Sequence, residues 1–301
     1  MKAQPEEKIS KGVYKCVLPA HDIALPLVID SPHSGREMPD DFDPICDEHY
    51  LKAAEDRYVD RLFHGIADCG VTFIEALFPR SYIDVNRAED DIDPLLLDED
   101  WPYPIPDKGR SKHGIGLIRR LIHKNLSLYD HFLTKDDIWH RIHNYYRPYH
   151  DTLSQRLNYL HDRYGQVWHI NAHSMPSSSA PVLRGAALFG QGIERADFVI
   201  GDRDGTCCSA DFTGIIKTLL EDMGYKVALN NPYKGVEVVK RYGRPHEGFH
   251  SLQLEINKAL YLDEKTNELN KNFDSLKHDL MHMVMMLAQW TTHKTIPIAA
   301  D

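Results

Sequence analysis

The stretch PLVIDSPHSG, Pro26 to Gly35, runs apolar through Leu27, Val28 and Ile29 and then breaks into Ser-Pro-His-Ser-Gly. A short apolar run bounded by turn residues predicts a buried strand, here over residues 24–31. A second run, QVWHINAHSMPSS, Gln166 to Ser178, climbs in the same rhythm to His173-Ser174. Two strands that each end in an imidazole suggest a shared site at their ends.

Working outward, EDRYVDRLFHGIADCG places Val59, Leu62, Phe63, Ile66 and Ala67 on one helical stripe ended by Gly70. Val71 to Phe78, rich in β-branched and aromatic residues, predicts the next strand. Residues 135–164 read as helical, with a kink or a break at Pro148. Further strands are expected up to Gly201, at KVALN, and in FHSLQLEINKALYLDE, where Leu252, Leu254 and Ile256 alternate with Gln253, Glu255 and Asn257. Ser209 or Asp211 is a possible cap for the helix FTGIIKTLLEDMGY, and a long helix is expected from about Lys265 to Trp290. Strands alternating with helices predict an α/β chain, a three-layer α/β/α arrangement around a mixed, mostly parallel central sheet, with the site beyond the carboxyl ends of the strands. No repeat or polar linker divides it, so one domain is expected over 1–301. The Pro- and Gly-rich stretch at about 94–134 reads as a lid-like excursion over the surface.

Composition excludes several classes. With 42% hydrophobic and 27% charged residues the chain is expected to fold throughout, and a net charge of −10 argues against a nucleic-acid partner. No apolar run approaches the roughly 20 residues of a membrane span, and the start MKAQPEEKISKGVYKC lacks the apolar core of a secretory signal, so a cytoplasmic location and no membrane partner are expected. Cys16, Cys46, Cys69, Cys207 and Cys208 are odd in number and hold no C-x-x-C pair, which points away from a disulfide framework or a thiolate zinc site.

A catalytic zinc ion takes about three protein ligands from His and Asp/Glu and keeps a position open for water. His33 and His173 fit two of the places. Glu37, Glu55 and Asp56 are candidates for the third, with Asp56 ranked first because the loop after His33 feeds the helix that begins there. RSYIDVNR sets Arg80, Asp84, Asn86 and Arg87 beyond another strand, where a guanidinium fork could grip a carboxylate, or where local ion pairs with Glu89, Asp90 and Asp91 would be enough to explain them. Glu255, flanked by inward-facing Leu254 and Ile256, is placed for partial desolvation and general-base work, or else points outward from an edge strand. His150 either enters the pocket or fixes the kink near Pro148. Ser34 and Ser174 follow the two histidines outside any G-x-S-x-G motif and are kept as pocket residues. HGIGLIRR lacks the third glycine of a dinucleotide loop, and His278 and His282 sit in a Met-rich core period without H-E-x-x-H.

Taken in order, DSPHSG, DRYVDRLF, RSYIDVNR, RIHNYYRPYHDTL, NAHSMPS, GDRDG, NPYKG and HSLQLEINKALYLDE resemble the N-formylglutamate amidohydrolase family over about Asp30 to Glu264. The resemblance implies a fold like the zinc-dependent carboxypeptidase and aminoacylase group, that is, zinc exopeptidase-like within the phosphorylase/hydrolase-like folds. It implies one divalent metal ion, most readily zinc, on His33, His173 and a third ligand, with Glu255 activating water. Asn86 and Arg87 would receive the substrate carboxylate, and Arg203 or Arg80 a glutamate side chain. The group's first motif is H-x-x-E, whereas this chain reads His33-Ser34-Gly35-Arg36, which leaves the third ligand open among Asp56, Glu37 and Glu55. Val236 follows NPYKG where the family commonly has another glycine. The implied activity is hydrolysis of N-formyl-L-glutamate to L-glutamate and formate, a step of histidine degradation. Another N-acylamino-acid deacylase, a carboxypeptidase-like peptidase, or a non-catalytic small-molecule binding module are the alternatives.

Overall fold

The computed structural model of the protein describes residues 4–107, 109–123, 125–183 and 194–295. Its strands in chain order are β1 (Glu6–Ser10), β2 (Tyr14–Leu18), β3 (Leu27–Ser31), β4 (Thr72–Ala76), β5 (Leu121–His123), β6 (Leu126–Ser127), β7 (Val167–Met175), β8 (Phe198–Gly201), β9 (Val227–Leu229), β10 (Phe249–Asn257), β11 (Leu262–Asp263) and β12 (Glu268–Leu269). The α-helices are α1 (Glu48–Ala54), α2 (Val59–Phe63), α3 (Lys135–Arg141), α4 (Arg147–Tyr164), α5 (Ala210–Asp222), α6 (Glu237–Tyr242) and α7 (Phe273–Lys294). Eight strands form one sheet in the order β1-β2-β4-β3-β7-β10-β8-β9. Its centre, β4, β3, β7 and β10, is parallel, while β2 joins β4 and β8 joins β10 in antiparallel fashion. The sheet is therefore mixed and mostly parallel at its core.

Side chains alternate across a strand, so each face carries its own set. In β7, Trp168, Ile170 and Ala172 join the α2, α5 and α7 side, together with Leu252, Leu254 and Ile256 of β10. Val28, Ile74 and Val167 meet α4 and α6 on the other side through Leu153, Leu157, Leu160, Val238 and Tyr242. This second face also holds the alternate positions His169, Asn171, His173, Ser251, Gln253 and Glu255, all buried. Polar side chains in the middle of a sheet are costly unless bonded. Here Asp30 answers much of that cost: its carboxylate accepts from Tyr149 Oη at 2.7 Å, from His169 at 3.0 Å and from Asn171 Nδ2 at 2.8 Å.

Several expectations are corrected. The stripe from Val59 to Ala67 is buried but not one helix: α2 stops at Phe63, Gly65 takes φ +100°, and a 3₁₀ turn over Ile66–Cys69 resumes. Pro148 breaks nothing. Helical structure is continuous from α3 into α4 through a π turn at Ile142–Tyr146, whose wider ring closes by Arg147 N donating to Ile142 O, and Pro148, which has no N–H to give, follows directly after that turn. The final helix starts at Phe273 because residues 262–269 fold back as the β11–β12 ribbon. The β1–β2 hairpin, for which residues 6–18 raise no expectation above, extends the sheet edge. β10 is buried on both faces between β7 and β8, not an edge strand with one polar side.

The excursion at 94–134 also differs from a loop laid over the surface. Leu96, Leu97, Leu117, Ile118, Leu128 and Leu133 are buried in the α4-side core. Lys108 and Lys124 lie outside the described residues. Ser209 caps α5 by accepting from Phe212 N. The five cysteines are free, and no helix among the described residues is long and apolar enough to cross a membrane.

Candidate active site

The carboxyl ends of β3, β4, β7 and β10 open on a cavity of about 290 Å³, lined among others by His33, Asp56, Arg80, Asn86, Arg87, His173, Ser174 and Glu255. Parallel pairing sets Glu255 directly opposite His173 on neighbouring strands. The loop after β3 delivers His33. Gly35 follows it because a Cβ there would lie 2.4 Å from Leu77 C and Phe78 O. The chain leaving β4 thus packs backbone to backbone against the His33 loop, and no larger residue would let it.

One potential ligand atom from each of His33, Asp56 and His173 lies within 4.8 Å of the others, and all three residues are buried. Their protonation can be traced from the hydrogen bonds. Asp30, an acceptor, takes Asn171 Nδ2, which turns Asn171 Oδ1 toward His173 Nε2 at 2.6 Å. His173 Nε2 lies between Asn171 Oδ1 at 2.6 Å and Asn86 Nδ2 at 3.0 Å; the shorter contact, to an oxygen, makes Nε2–H the donor to Asn171, and Asn86 Nδ2, 3.4 Å from that oxygen, shares the acceptor. The lone pair of His173 Nδ1 is left facing Asp56 Oδ2 at 2.8 Å. His33 repeats the arrangement: Nε2–H donates to Asp84 Oδ1 at 2.6 Å, while Nδ1, 3.3 Å from Asp56 Oδ2, has no hydrogen-bond partner among the described residues. Two imidazole lone pairs and a carboxylate oxygen converge on one point. Three acceptors meet comfortably only around a positive centre, so the donor set fits a divalent cation, with Asp84 and Asn171 orienting the rings from behind.

Burial alone would raise the Asp56 carboxyl, but its close contacts with the His173 and His33 rings and the charge of Arg80 hold it well below the usual carboxylate range. Asp84 is opposed in the same way: burial would raise it, and Arg80 and His33 bring it well below. Arg80 donates to Asp84 Oδ2 from Nη2 at 2.7 Å and from Nε at 3.2 Å. Burial pushes Glu255 up to about 6, with His173 pulling down and Asp56 pushing up. Gln253 Nε2 donates to Glu255 Oε1 at 2.6 Å and fixes the carboxylate.

Of the three carboxylates considered as third ligand, Asp56 is the one that meets both rings. Glu55 is turned to Arg57 Nη1 at 3.1 Å, and burial pushes its carboxyl up to about 7. Glu37 is exposed and borders a separate hollow. Asp84, expected to face substrate, lies behind His33 and Arg80 and lines no part of the cavity. Arg203 is also displaced: its Nη1 donates to Gly235 O at 3.0 Å, bracing from outside the loop that carries Tyr233 and Val236 into the cavity. His150 does not reach the cavity, since its nitrogens lie 2.9 Å from Tyr242 Oη and 2.9 Å from Val85 O. Burial and Arg241 push its pKa down to about 3, which keeps it neutral. Ser34 stands beside the site and donates to Asp56 O at 2.8 Å, fixing the backbone of Asp56. Sequence reasoning missed Arg110, Gln253 and Lys258 as cavity residues. Gln253 carried a signal, since it shares the face of Glu255 two residues on.

A second group, Asp60, His64 and Glu75, also brings potential ligand atoms within 4.8 Å. It lies outside the cavity, and Arg36 Nη2 already reaches Asp60 Oδ2 at 3.4 Å.

Residues 25–262 match the family model described as N-formylglutamate amidohydrolase. The chain is 27% identical over 260 residues to an N-formylglutamate deformylase of Pseudomonas putida, covering 82% of this chain and 86% of that one. It is 26% identical over 246 residues to an N-formylglutamate deformylase of Pseudomonas aeruginosa, covering 80% and 84%. The crystal structure of an N-formylglutamate amidohydrolase from Ralstonia eutropha JMP134 superposes with a TM-score of 0.86 at 39% identity, covering 94% of this chain and 99% of that one.

Proposed function

Because the chain belongs to the N-formylglutamate amidohydrolase family, we propose that it hydrolyses N-formyl-L-glutamate to L-glutamate and formate, using a divalent metal ion, most readily zinc, held by His33, Asp56 and His173. The observation that carries the metal reading is the convergence of His33 Nδ1 and His173 Nδ1 on Asp56 Oδ2 while their Nε2 atoms are held by Asp84 and Asn171. When bound, the ion polarises the formyl oxygen and makes water acidic enough to lose a proton near neutral pH.

The protein's own groups supply the rest. Glu255, fixed by Gln253, takes the proton from the attacking water and returns it to the nitrogen as the carbon–nitrogen bond breaks, so formate leaves and the amine of glutamate is released. A carboxyl raised by burial to about 6 suits both tasks, being a base at neutral pH and still able to hold a proton. Arg87 binds the α-carboxylate. Its Nε and Nη1 are occupied by Ile115 O at 3.2 Å and Asn86 O at 3.0 Å, which leaves the remaining edge of a half-buried guanidinium for the cavity, with no carboxylate among the described residues paired to it directly although the charge of Asp84 acts on it. Asn86, expected to receive the substrate carboxylate together with Arg87, is instead engaged by the protein: its Oδ1 accepts from Val238 N at 3.0 Å at the start of α6, and its Nδ2 donates to Asn171 Oδ1 at 3.4 Å. The cellular setting that goes with this reading is histidine degradation in the cytoplasm.

Formate release from N-formyl-L-glutamate, followed before and after chelation and after zinc is restored, tests the proposal. Loss with the chelator and recovery with zinc is the expected result; full activity after exhaustive chelation removes the metal from the reading. A panel of formyl, acetyl and succinyl amino acids separates it from a deacylase of other preference.

A further inference from the structure

We propose that Arg110 reads the side-chain carboxylate of the substrate and so makes the enzyme select an acidic amino acid. The inference rests on the function proposed above and identifies the group that distinguishes glutamate from its neutral relatives.

Four cationic side chains line the cavity, Arg80, Arg87, Arg110 and Lys258. Two are committed to the protein. Arg80 is locked to Asp84, and Lys258 Nζ donates to Ala53 O at 3.1 Å and Glu55 O at 2.7 Å, closing the end of α1. Arg87 is taken by the α-carboxylate. That leaves Arg110, whose guanidinium has no hydrogen-bond acceptor or carboxylate partner among the described residues. Arg110 and Arg87 line the same cavity, and the charge of one acts on the other, which suits a substrate that carries two carboxylates.

An exposed arginine at a cavity mouth is ordinary, but its backbone here is not loose. Asp91, buried at 4% exposure, accepts from Arg110 N at 2.8 Å and from Ser111 N at 3.0 Å. A Cβ at Gly109 would lie 2.0 Å from Asp91 Oδ1, and one at Gly116 would lie 2.4 Å from Asp91 O, so both glycines let the loop close on the aspartate. Burying a carboxylate to hold two amides of a surface loop is costly unless the loop's position matters. The arrangement holds the base of Arg110 fixed and leaves the fork free, which is the economy of a preorganised binding arm. Charge agrees with this. With Arg80 paired to Asp84, the cavity keeps Arg87, Arg110 and Lys258 against Asp56 and Glu255 before any metal is counted, a positive excess that a substrate with two carboxylates answers better than one with a single carboxylate.

The test compares the parent protein, Arg110→Ala and Arg110→Lys on N-formyl-L-glutamate and on N-formyl-L-glutamine, its isostere with an uncharged side chain. Calorimetric Kd values for L-glutamate and L-glutamine are measured on the same proteins. Arg110→Ala is expected to lower the preference for formylglutamate over formylglutamine by about 10- to 100-fold, mostly through KM, with part recovered in Arg110→Lys. The Kd of L-glutamate should weaken relative to that of L-glutamine by a similar factor. An unchanged preference, whether both substrates suffer equally or neither does, overturns the assignment. Failure of the parent protein to hydrolyse either formyl compound would defeat the proposed activity instead, and the glutamate-against-glutamine binding ratio would still decide for or against Arg110.

Discussion

At the scale of single residues, the site depends on which nitrogen of each imidazole is free. Asp84 decides it for His33, and Asp84→Asn is expected to weaken metal affinity about 10- to 100-fold, checked by metal content after dialysis against a competing chelator. Glu255→Gln keeps the ligand set intact and removes the base, so it should retain metal and lose about 10²- to 10⁴-fold in kcat. The pH profile follows from the same carboxylate. Its pKa is raised to about 6, and the base works only when ionised, so the rate rises with pH through that region. A bound cation favours the charged form and moves the limb lower, which places the acid limb of kcat/KM at or below about pH 6. That limb should be missing from the residual activity of Glu255→Gln. His33, His173 and Glu255 were legible as residues that end or follow apolar strand patterns. Asp84 was legible as chemistry but not as direction: a carboxylate on a loop reads the same whether it faces substrate or stands behind a ligand.

At the scale of elements, the close approach of the His33 loop to the chain leaving β4 decides where His33 stands. A methyl at Gly35 meets backbone atoms of Leu77 and Phe78, which cannot swing aside as a side chain would. Gly35→Ala is therefore expected to cost about 1–3 kcal/mol in denaturant unfolding and to lower metal content, since relief of the clash displaces His33. Strand patterns predicted β3, β4, β7, β8 and β9 closely because runs of β-branched and apolar residues fit few other local structures. Helix ends were less legible. The π turn before Pro148 and the ribbon before α7 arise from what those segments pack against, and no local period announces them.

At the scale of the whole molecule, the sheet separates two apolar layers. Leu153 of α4 and Leu280 of α7 are each fully buried, one on either side. Truncating either to Ala is expected to cost about 2–5 kcal/mol. The two losses should add to within about 0.5 kcal/mol in the double variant, because a sheet lies between them and they share no neighbours. A clear departure from additivity in denaturant unfolding would mean that the layers are coupled through the sheet. The excursion at 94–134 belongs to this scale too: its leucines join the α4-side layer, so the loop that brings Arg110 to the cavity is anchored in the core.

The amino-acid sequence by itself determined the alternation of strands and helices, the strand-end position of the two histidines and the alternating faces of β10, because periods of two and 3.6 are local properties of a chain. Tertiary structure alone decided that Asp56 rather than Glu37 or Glu55 faces both rings, that Arg203 and His150 stay outside the cavity, and that Arg110 enters it. Those outcomes depend on where loops from distant parts of the chain cross the carboxyl ends of the sheet. Such crossings are set by packing and by buried hydrogen bonds between residues far apart in sequence, and neither leaves a local periodic trace.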